Sequence, residues 1–140
     1  MSNYGIKLVW PGWKDDTVIG FSDRGAKRFG DGIQTGTRML IYETATKRPG
    51  VTAKGTKSIV GAVEVDGSFE DGEKYRPPNE EHSRLLPVKV IHRRDDVRPI
   101  PLERVRKIIA DENWPRMGEA WKALTDEQYQ AFLKEWGVSE

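Results

Sequence analysis

Two short apolar runs joined by a basic, glycine-containing connection constrain the fold of this chain more than any other feature. The runs are Met-Leu-Ile-Tyr at residues 39–42 and Ile-Val-Gly-Ala-Val at residues 59–63, both rich in strand-forming side chains. Neither run alternates with polar residues, so both strands should be covered on both faces, as inside a barrel. Gly61 lies within the second run, where it predicts a bend or a close backbone approach.

The overall composition is that of an ordinary globular protein. The 140 residues are 36% hydrophobic and 32% charged, and we expect one domain over residues 1–140. No apolar run approaches the roughly 18 residues of a membrane span, so we expect no membrane partner. The lack of cysteine excludes disulfides and cysteine-ligated zinc and fits a cytoplasmic protein. Two histidines are too few for an all-histidine metal site, and we expect neither a metal nor a cofactor.

The formal net charge of +1 conceals a segregation of charge along the chain. Residues 24–57 contain eight Lys or Arg against two Asp or Glu, and residues 84–107 contain eight against three, whereas 64–83 and 111–140 are acidic. If the basic blocks share one side of the fold, they form a face suited to nucleic acid; if the blocks interleave, the charges cancel. The candidate contacts to a nucleic-acid backbone are Lys14, Arg24, Lys27, Arg28, Lys47, Arg48, Lys54 and Lys57.

A turn with two tryptophans follows the first predicted strand, residues 4–9. Pro11 and Gly12 force the turn and hold Trp10 and Trp13 close together. As core side chains the indoles would close one end of the barrel, and as site residues they would offer flat faces for stacking. The sequence leaves both interpretations open for each tryptophan.

The other elements are predicted from capping and turn signals. Residues 17–21 predict a strand, and Ser22 or Asp23 can cap a helix over residues 24–29. Further along the chain, the alternating residues 84–93 predict another strand.

Two more helices and a long loop complete the predicted order. Pro101 opens one helix, and a capping box at Thr125 opens the last one. The acidic segment 66–81 is rich in Gly and Pro and predicts a loop, in which Tyr75 is the aromatic residue that could cover a pocket.

The order of these elements resembles the EVE domain of the PUA-like superfamily, which is related to the YTH readers of methylated adenine. The similarity covers most of the chain and is strongest in GTRMLIYET at 36–44 and IVGAVEV at 59–65. The ending, which contains LTDEQYQAFL at 124–133, also matches. The resemblance implies an α+β fold, a β-barrel of about five or six strands flanked by helices. It also implies a pocket in which aromatic side chains hold a modified base that has been extruded from its stack.

Carried over by position, the pocket lies between the end of the first strand, the approach to the first helix and the two central strands. With Tyr75 added from the acidic loop, its residues are Trp10, Trp13, Phe21, Ser22, Tyr42, Glu43, Thr44 and Tyr75. The chain lacks a tryptophan and a histidine that relatives carry in two of these segments. Stacking supplies about 1–3 kcal/mol per base, and Glu43, Ser22 or Thr44 would read the edge of the base.

The expected function is a non-catalytic reader of modified nucleic acid, with DNA carrying a modified cytosine or adenine as its ligand. Such a domain could be the specificity module of a restriction or defence system, working with a partner nuclease. Three alternatives stay open: an RNA-binding module, a hydrolase of modified nucleosides like some ASCH relatives, and a structural barrel. The hydrolase would need a lysine–glutamate pair, for which Glu43 is the candidate carboxylate. The sequence has no Ser-His-Asp pattern or phosphate-cradling glycine loop, so we expect no enzyme.

Overall fold

The computed structural model describes residues 3–45, 54–71 and 84–140 of the chain. Its strands and helices are, in order, β1 (Tyr4–Val9), β2 (Val18–Phe21), α1 (Asp23–Phe29), β3 (Arg38–Glu43), β4 (Ser58–Val65), β5 (Glu70–Asp71), β6 (Arg84–His92), β7 (Ile100–Pro101), α2 (Leu102–Ile109), β8 (Trp121–Leu124) and α3 (Asp126–Trp136). Short 3₁₀ turns at Gly30–Gly32 and Arg94–Asp96 follow α1 and β6.

One mixed sheet connects the strands of the described segments in the order β2-β6-β4-β3-β1-β8, with β5 beside β6 and β7 beside β4. β1 and β3 run parallel, and the remaining pairs are antiparallel. The sheet is curled, because Phe21 of β2 and Trp121 of β8 join the same core cluster from opposite ends of this order. The described segments contain six longer strands and three helices, which form a curled half-barrel and confirm the predicted α+β barrel of about five or six strands flanked by helices.

The central strands β3 and β4 are buried on both faces, as their apolar runs predict. Met39 and Ile41 point into the concave side of the sheet, where they pack with side chains from β2, β6 and β8. Leu40 and Tyr42 alternate to the other side and pack against the helix residues Val105 and Phe132. Two cores therefore share one strand pair.

Gly61 is the close backbone approach that the sequence predicts. A Cβ atom at this position would lie 2.6 Å from Cζ3 of Trp13 and 2.8 Å from the carbonyl oxygen of His92. The register between β3 and β4 shifts between Ile41 and Tyr42, next to this glycine. Trp13 is consequently a core side chain, only 4% exposed, in the concave cluster.

The helix ends confirm the predicted capping signals. The Ser22 Oγ accepts a hydrogen bond from the Gly25 backbone N–H at 2.9 Å, and α1 begins one residue earlier than predicted. Thr125 and Gln128 form the predicted capping box at the start of α3. Within the described segments, no helix has the length and apolar character needed to cross a membrane.

Candidate functional site

A cavity of about 860 Å³ lies between β1, α1 and β3. Its walls are formed by the end of β1, the approach to α1 and its first two turns, the end of β3, and residues 115–120 ahead of β8. The volume falls within the range of about 300–1,000 Å³ that is typical of ligand pockets. The cavity is therefore large enough to be a candidate binding site.

Eight residues that the sequence analysis assigns to ligand binding line this cavity. They are Trp10, Phe21, Ser22, Tyr42 and Thr44 from the predicted base pocket, and Arg24, Arg28 and Lys57 from the predicted backbone contacts. The structure thus brings together the end of the first strand, the approach to the first helix and the end of a central strand. The binding roles of these residues stay predictions.

Trp13 does not line the cavity, contrary to its predicted place in the base pocket. Its indole is held under Gly61 inside the concave core, so it is unavailable for stacking on a ligand. Trp10, three residues earlier, is only partly buried and lies at the cavity wall. Of the two open interpretations, the core one describes Trp13, and the location of Trp10 is compatible with a site.

Glu43 is also absent from the cavity wall, which corrects the prediction that it faces a base edge. It is 0% exposed, and its Oε2 accepts hydrogen bonds from the Gly12 N–H at 2.8 Å and from Arg94 Nη1 at 2.6 Å. Its Oε1 accepts from Arg94 Nη2 and from the backbone and hydroxyl of Thr56, each at 3.0 Å. Burial raises the pKa of Glu43, but the hydrogen bonds from Arg94, Gly12 and Thr56 outweigh it and leave the pKa below its ordinary value.

The remaining predicted backbone contacts lie away from the cavity or outside the described residues. Lys14 forms an exposed ion pair with Asp95 at 3.0 Å, and Lys27 and Lys54 are exposed but do not line the cavity. Three predicted site residues lie outside the described segments: Lys47, Arg48 and Tyr75. In the described part of the connection between β3 and β4, Lys57 is the basic residue that lines the cavity.

Lys7 is a cavity residue that the sequence analysis missed. It is 2% exposed; its Nζ donates to the Leu8 carbonyl oxygen at 2.6 Å and lies 4.6 Å from the centre of the Phe21 ring. Burial lowers the pKa of Lys7 from 10.5 to about 7. The sequence signal that could have found it is a lysine between the apolar residues Ile6 and Leu8 in the first predicted strand. The structure then pairs this strand on both sides.

The segment 115–120 is the other part of the site that the sequence analysis missed, because its Pro and Gly predict only a break between helices. Arg116 pairs with the Asp111 carboxylate at 2.6 Å, and Met117 is fully exposed to solvent. Arg28 of α1 donates to the Gly118 carbonyl oxygen at 3.3 Å, which ties this segment to the opposite wall.

The charged residues that line the cavity are mostly cationic. The basic ones are Lys7, Arg24, Arg28, Lys57 and Arg116, and the acidic one is Glu119. This excess of cations favours an anionic or strongly polar ligand. Within the described segments, no group of three or more His, Asp or Glu could hold a metal ion.

Neither a protein-family model nor a curated protein sequence matches this chain, but several solved structures do. Human THYN1 in complex with DNA containing 5-methylcytosine has a TM-score of 0.62 and 15% sequence identity over 99% of both chains. The Mmi1 YTH domain has a TM-score of 0.63 and 11% identity over 97% of this chain and 75% of that one. ASCH from Zymomonas mobilis has a TM-score of 0.60 and 17% identity over 94% of both chains. These similarities show that the chain has the α+β PUA-like fold that the sequence predicts.

Proposed function

We propose that this protein binds nucleic acid carrying a modified base and holds the extruded base in the cavity between β1, α1 and β3. The observation that carries the proposal is the cavity itself, where Trp10 and Tyr42 lie among cationic side chains. The fold supports it, because the similar THYN1 structure contains DNA with 5-methylcytosine.

The residues around the cavity suit the two energetic needs of such a reader. A base removed from its stack costs a few kcal/mol, and stacking on an aromatic ring returns about 1–3 kcal/mol. The indole of Trp10 is partly exposed at the wall and has the flat face that stacking requires. Arg24, Arg28 and Lys57 are exposed and line the same cavity, so they can contact the phosphates that flank the extruded nucleotide.

DNA with a modified cytosine is the ligand we propose first, since it is the chemistry present in the THYN1 complex. The protein would bind without catalysing a reaction, and it could then supply specificity to a partner nuclease in a restriction or defence system. The surroundings of Glu43 support a binding role for the protein. Five hydrogen bonds occupy the two carboxylate oxygens of Glu43 and leave it unsuited to accept a proton from a substrate.

A hydrolase of modified nucleosides is the second candidate, and one observation favours it. Lys7 lines the cavity, and burial lowers the pKa of its amine, which is a usual state for a reactive lysine. The similarity to an ASCH structure is compatible with this alternative. Incubation with modified nucleosides followed by mass spectrometry tests it, and product that depends on Lys7 would replace the reader proposal.

Binding to a panel of oligonucleotides tests the reader proposal. The panel contains one sequence as DNA and as RNA, with cytosine, 5-methylcytosine, adenine or N6-methyladenine at one position, and fluorescence anisotropy measures each Kd. We expect the wild type to prefer one modified strand and the Trp10→Ala variant to lose most of that preference. Trp136→Ala is the matched control, because Trp136 lies away from the cavity against His92. A wild type that binds all members of the panel equally would contradict the proposal.

A further inference from the structure

We propose that Lys7 is a ligand-reading group inside the cavity and that it selects a base with a negatively charged substituent. This inference rests on the proposed function, because it requires that a base enter the cavity. It goes further by naming the chemical class of the modification and the side chain that recognises it.

The surroundings of Lys7 leave it short of partners. An ammonium group has three N–H donors, and the described residues supply one acceptor, the carbonyl oxygen of Leu8. On another side lies the ring of Phe21, which attracts a cation but accepts no ordinary hydrogen bond. No carboxylate in the described segments lies within ion-pair distance of the Lys7 Nζ.

A buried amine with one acceptor needs a further polar partner, and Lys7 is one of the residues that line the cavity. Burying a charge without a counter-charge is unfavourable, so an anionic ligand group in contact with Nζ would relieve that cost. The methyl group of a methylated base would supply no such partner. A carboxylate attached to the base ring would supply both the charge and two acceptor oxygens.

Lys7 differs from the other cations at the cavity in what it can contact. Arg24, Arg28 and Arg116 are exposed, so they can contact the phosphates of a strand that lies across the opening. Lys7 is 2% exposed, so a strand that lies across the opening cannot contact it. The exposed arginines therefore contribute affinity, whereas Lys7 contributes selectivity among bases.

Binding of an anionic base should couple to the protonation of Lys7. Burial holds the pKa of Lys7 at about 7 in the free protein, and a carboxylate beside it raises the pKa. The affinity should therefore be greatest below pH 7 and should fall by up to tenfold per pH unit above it, until the raised pKa is reached. Other titratable or charged groups face the same cavity, namely Arg24, Arg28, Tyr42, Lys57, Arg116 and Glu119.

Three DNA duplexes that differ at one position test this inference. They carry cytosine, 5-methylcytosine or 5-carboxylcytosine, and the last two differ only in a methyl group replaced by a carboxylate. We expect the wild type at pH 7 to bind the carboxyl duplex at least tenfold more tightly than the methyl duplex, and this ratio to shrink at pH 8 and 9. Lys7→Met removes the amine and keeps every other charged group. It should therefore remove both the preference and its pH dependence.

Lys57→Met is the matched control, because Lys57 is an exposed lysine at the same cavity. It should weaken binding to all three duplexes by similar factors and leave the ratio unchanged. Calorimetry of the wild type in two buffers of different ionisation enthalpy gives a readout that needs no variant. At pH 8, binding of the carboxyl duplex should take up protons, and binding of the methyl duplex should take up fewer.

The outcomes separate this inference from the proposed function. A wild type that prefers the methyl duplex to unmodified DNA but binds the carboxyl duplex no more tightly would overturn the role of Lys7 alone. Equal binding to all three duplexes would count against both. Retention of the carboxyl preference by a folded Lys7→Met variant, or binding without proton uptake, would also overturn the inference.

Discussion

At the residue scale, two tryptophans three positions apart in sequence have different surroundings. Trp13 is buried in the concave core and touches the position where Gly61 has no side chain. Trp10 lies at the cavity wall and keeps part of its surface exposed. Turn chemistry predicts that the two indoles are close together, but only the packing against β4 decides which one is core.

The two tryptophans should respond differently to truncation. Trp13→Ala should lower the free energy of unfolding by about 3–5 kcal/mol, because it leaves a large cavity in the core. Trp10→Ala should change that free energy by much less and should weaken binding of a modified base by about 1–3 kcal/mol. Urea denaturation and anisotropy titrations measure the two effects. Similar losses of stability in both variants would show that Trp10 is structural as well.

At the element scale, the end of β3 is held by a single carboxylate. Glu43 binds the turn after β1 through Gly12, the segment before β4 through Thr56, and the 3₁₀ turn after β6 through Arg94. Each of these hydrogen bonds joins β3 to a different part of the chain. The carboxylate therefore positions three segments, and two of them, the turn after β1 and the segment before β4, adjoin the cavity residues Trp10 and Lys57.

Removal of this carboxylate should destabilise the fold in a pH-dependent way. Breaking a buried ion pair lowers the free energy of unfolding by about 3–5 kcal/mol. Glu43→Gln should fall at the lower end of this range, since Arg94 keeps some access to water. The pKa of Glu43 in the folded state is lowered from 4.5, so its contribution is complete above about pH 4.5 and is lost as the pH falls through the folded value.

Urea midpoints between pH 7 and pH 3 measure this contribution. The difference between the wild type and Glu43→Gln should be constant down to about pH 4.5 and should shrink below it. Glu103→Gln, at an exposed position of α2, is the control and should match the wild type at neutral pH. A difference that grows on acidification would contradict the assigned role of the ion pair.

The sequence predicts the central strands well because burial on both faces leaves no polar residue in either apolar run. It predicts the helix starts because Ser22 and Thr125 act on neighbouring backbone groups. It misses β8 and the place of Lys7, since both depend on pairing between distant residues, with Lys7 opposite Trp121. The predicted place of Glu43 is wrong for the same reason, because its partner Arg94 lies 51 residues away.

At the scale of the whole molecule, the basic blocks of the sequence converge only in part. Arg24, Arg28 and Lys57 reach the cavity, joined by Arg116 from a segment that is acidic overall. Lys14 instead pairs with Asp95, and neither residue lines the cavity. Charge counts along the chain therefore indicate that cations are available, but the pairing of strands decides which ones share a surface.

The cations at the cavity should control the salt dependence of nucleic-acid binding. Replacing Arg24, Arg28 and Lys57 together with Ala should flatten the slope of log Kd against log salt by about 0.9 for each phosphate of duplex DNA that is no longer neutralised. Modified and unmodified strands should weaken by similar factors, because phosphate contacts carry no base selectivity. The control replaces three exposed lysines that do not line the cavity: Lys89, Lys107 and Lys134.

Anisotropy titrations at several salt concentrations give these slopes directly. The control variant carries the same change in net charge, so any general effect of charge appears equally in both triple variants. Equal slopes for the two variants would show that nucleic acid does not lie across this cavity.

The close approach of Gly61 and Trp13 has a consequence for how sequences of this fold can diverge. Because a Cβ at position 61 would meet the indole at 2.6 Å, neither position can change freely while the other stays the same. Gly61→Ala alone should destabilise the protein by about 1–3 kcal/mol, whereas Gly32→Ala meets open space and should not. Trp13→Leu should restore part of the stability that Gly61→Ala loses. The two positions, 48 residues apart in sequence, should therefore covary during evolution.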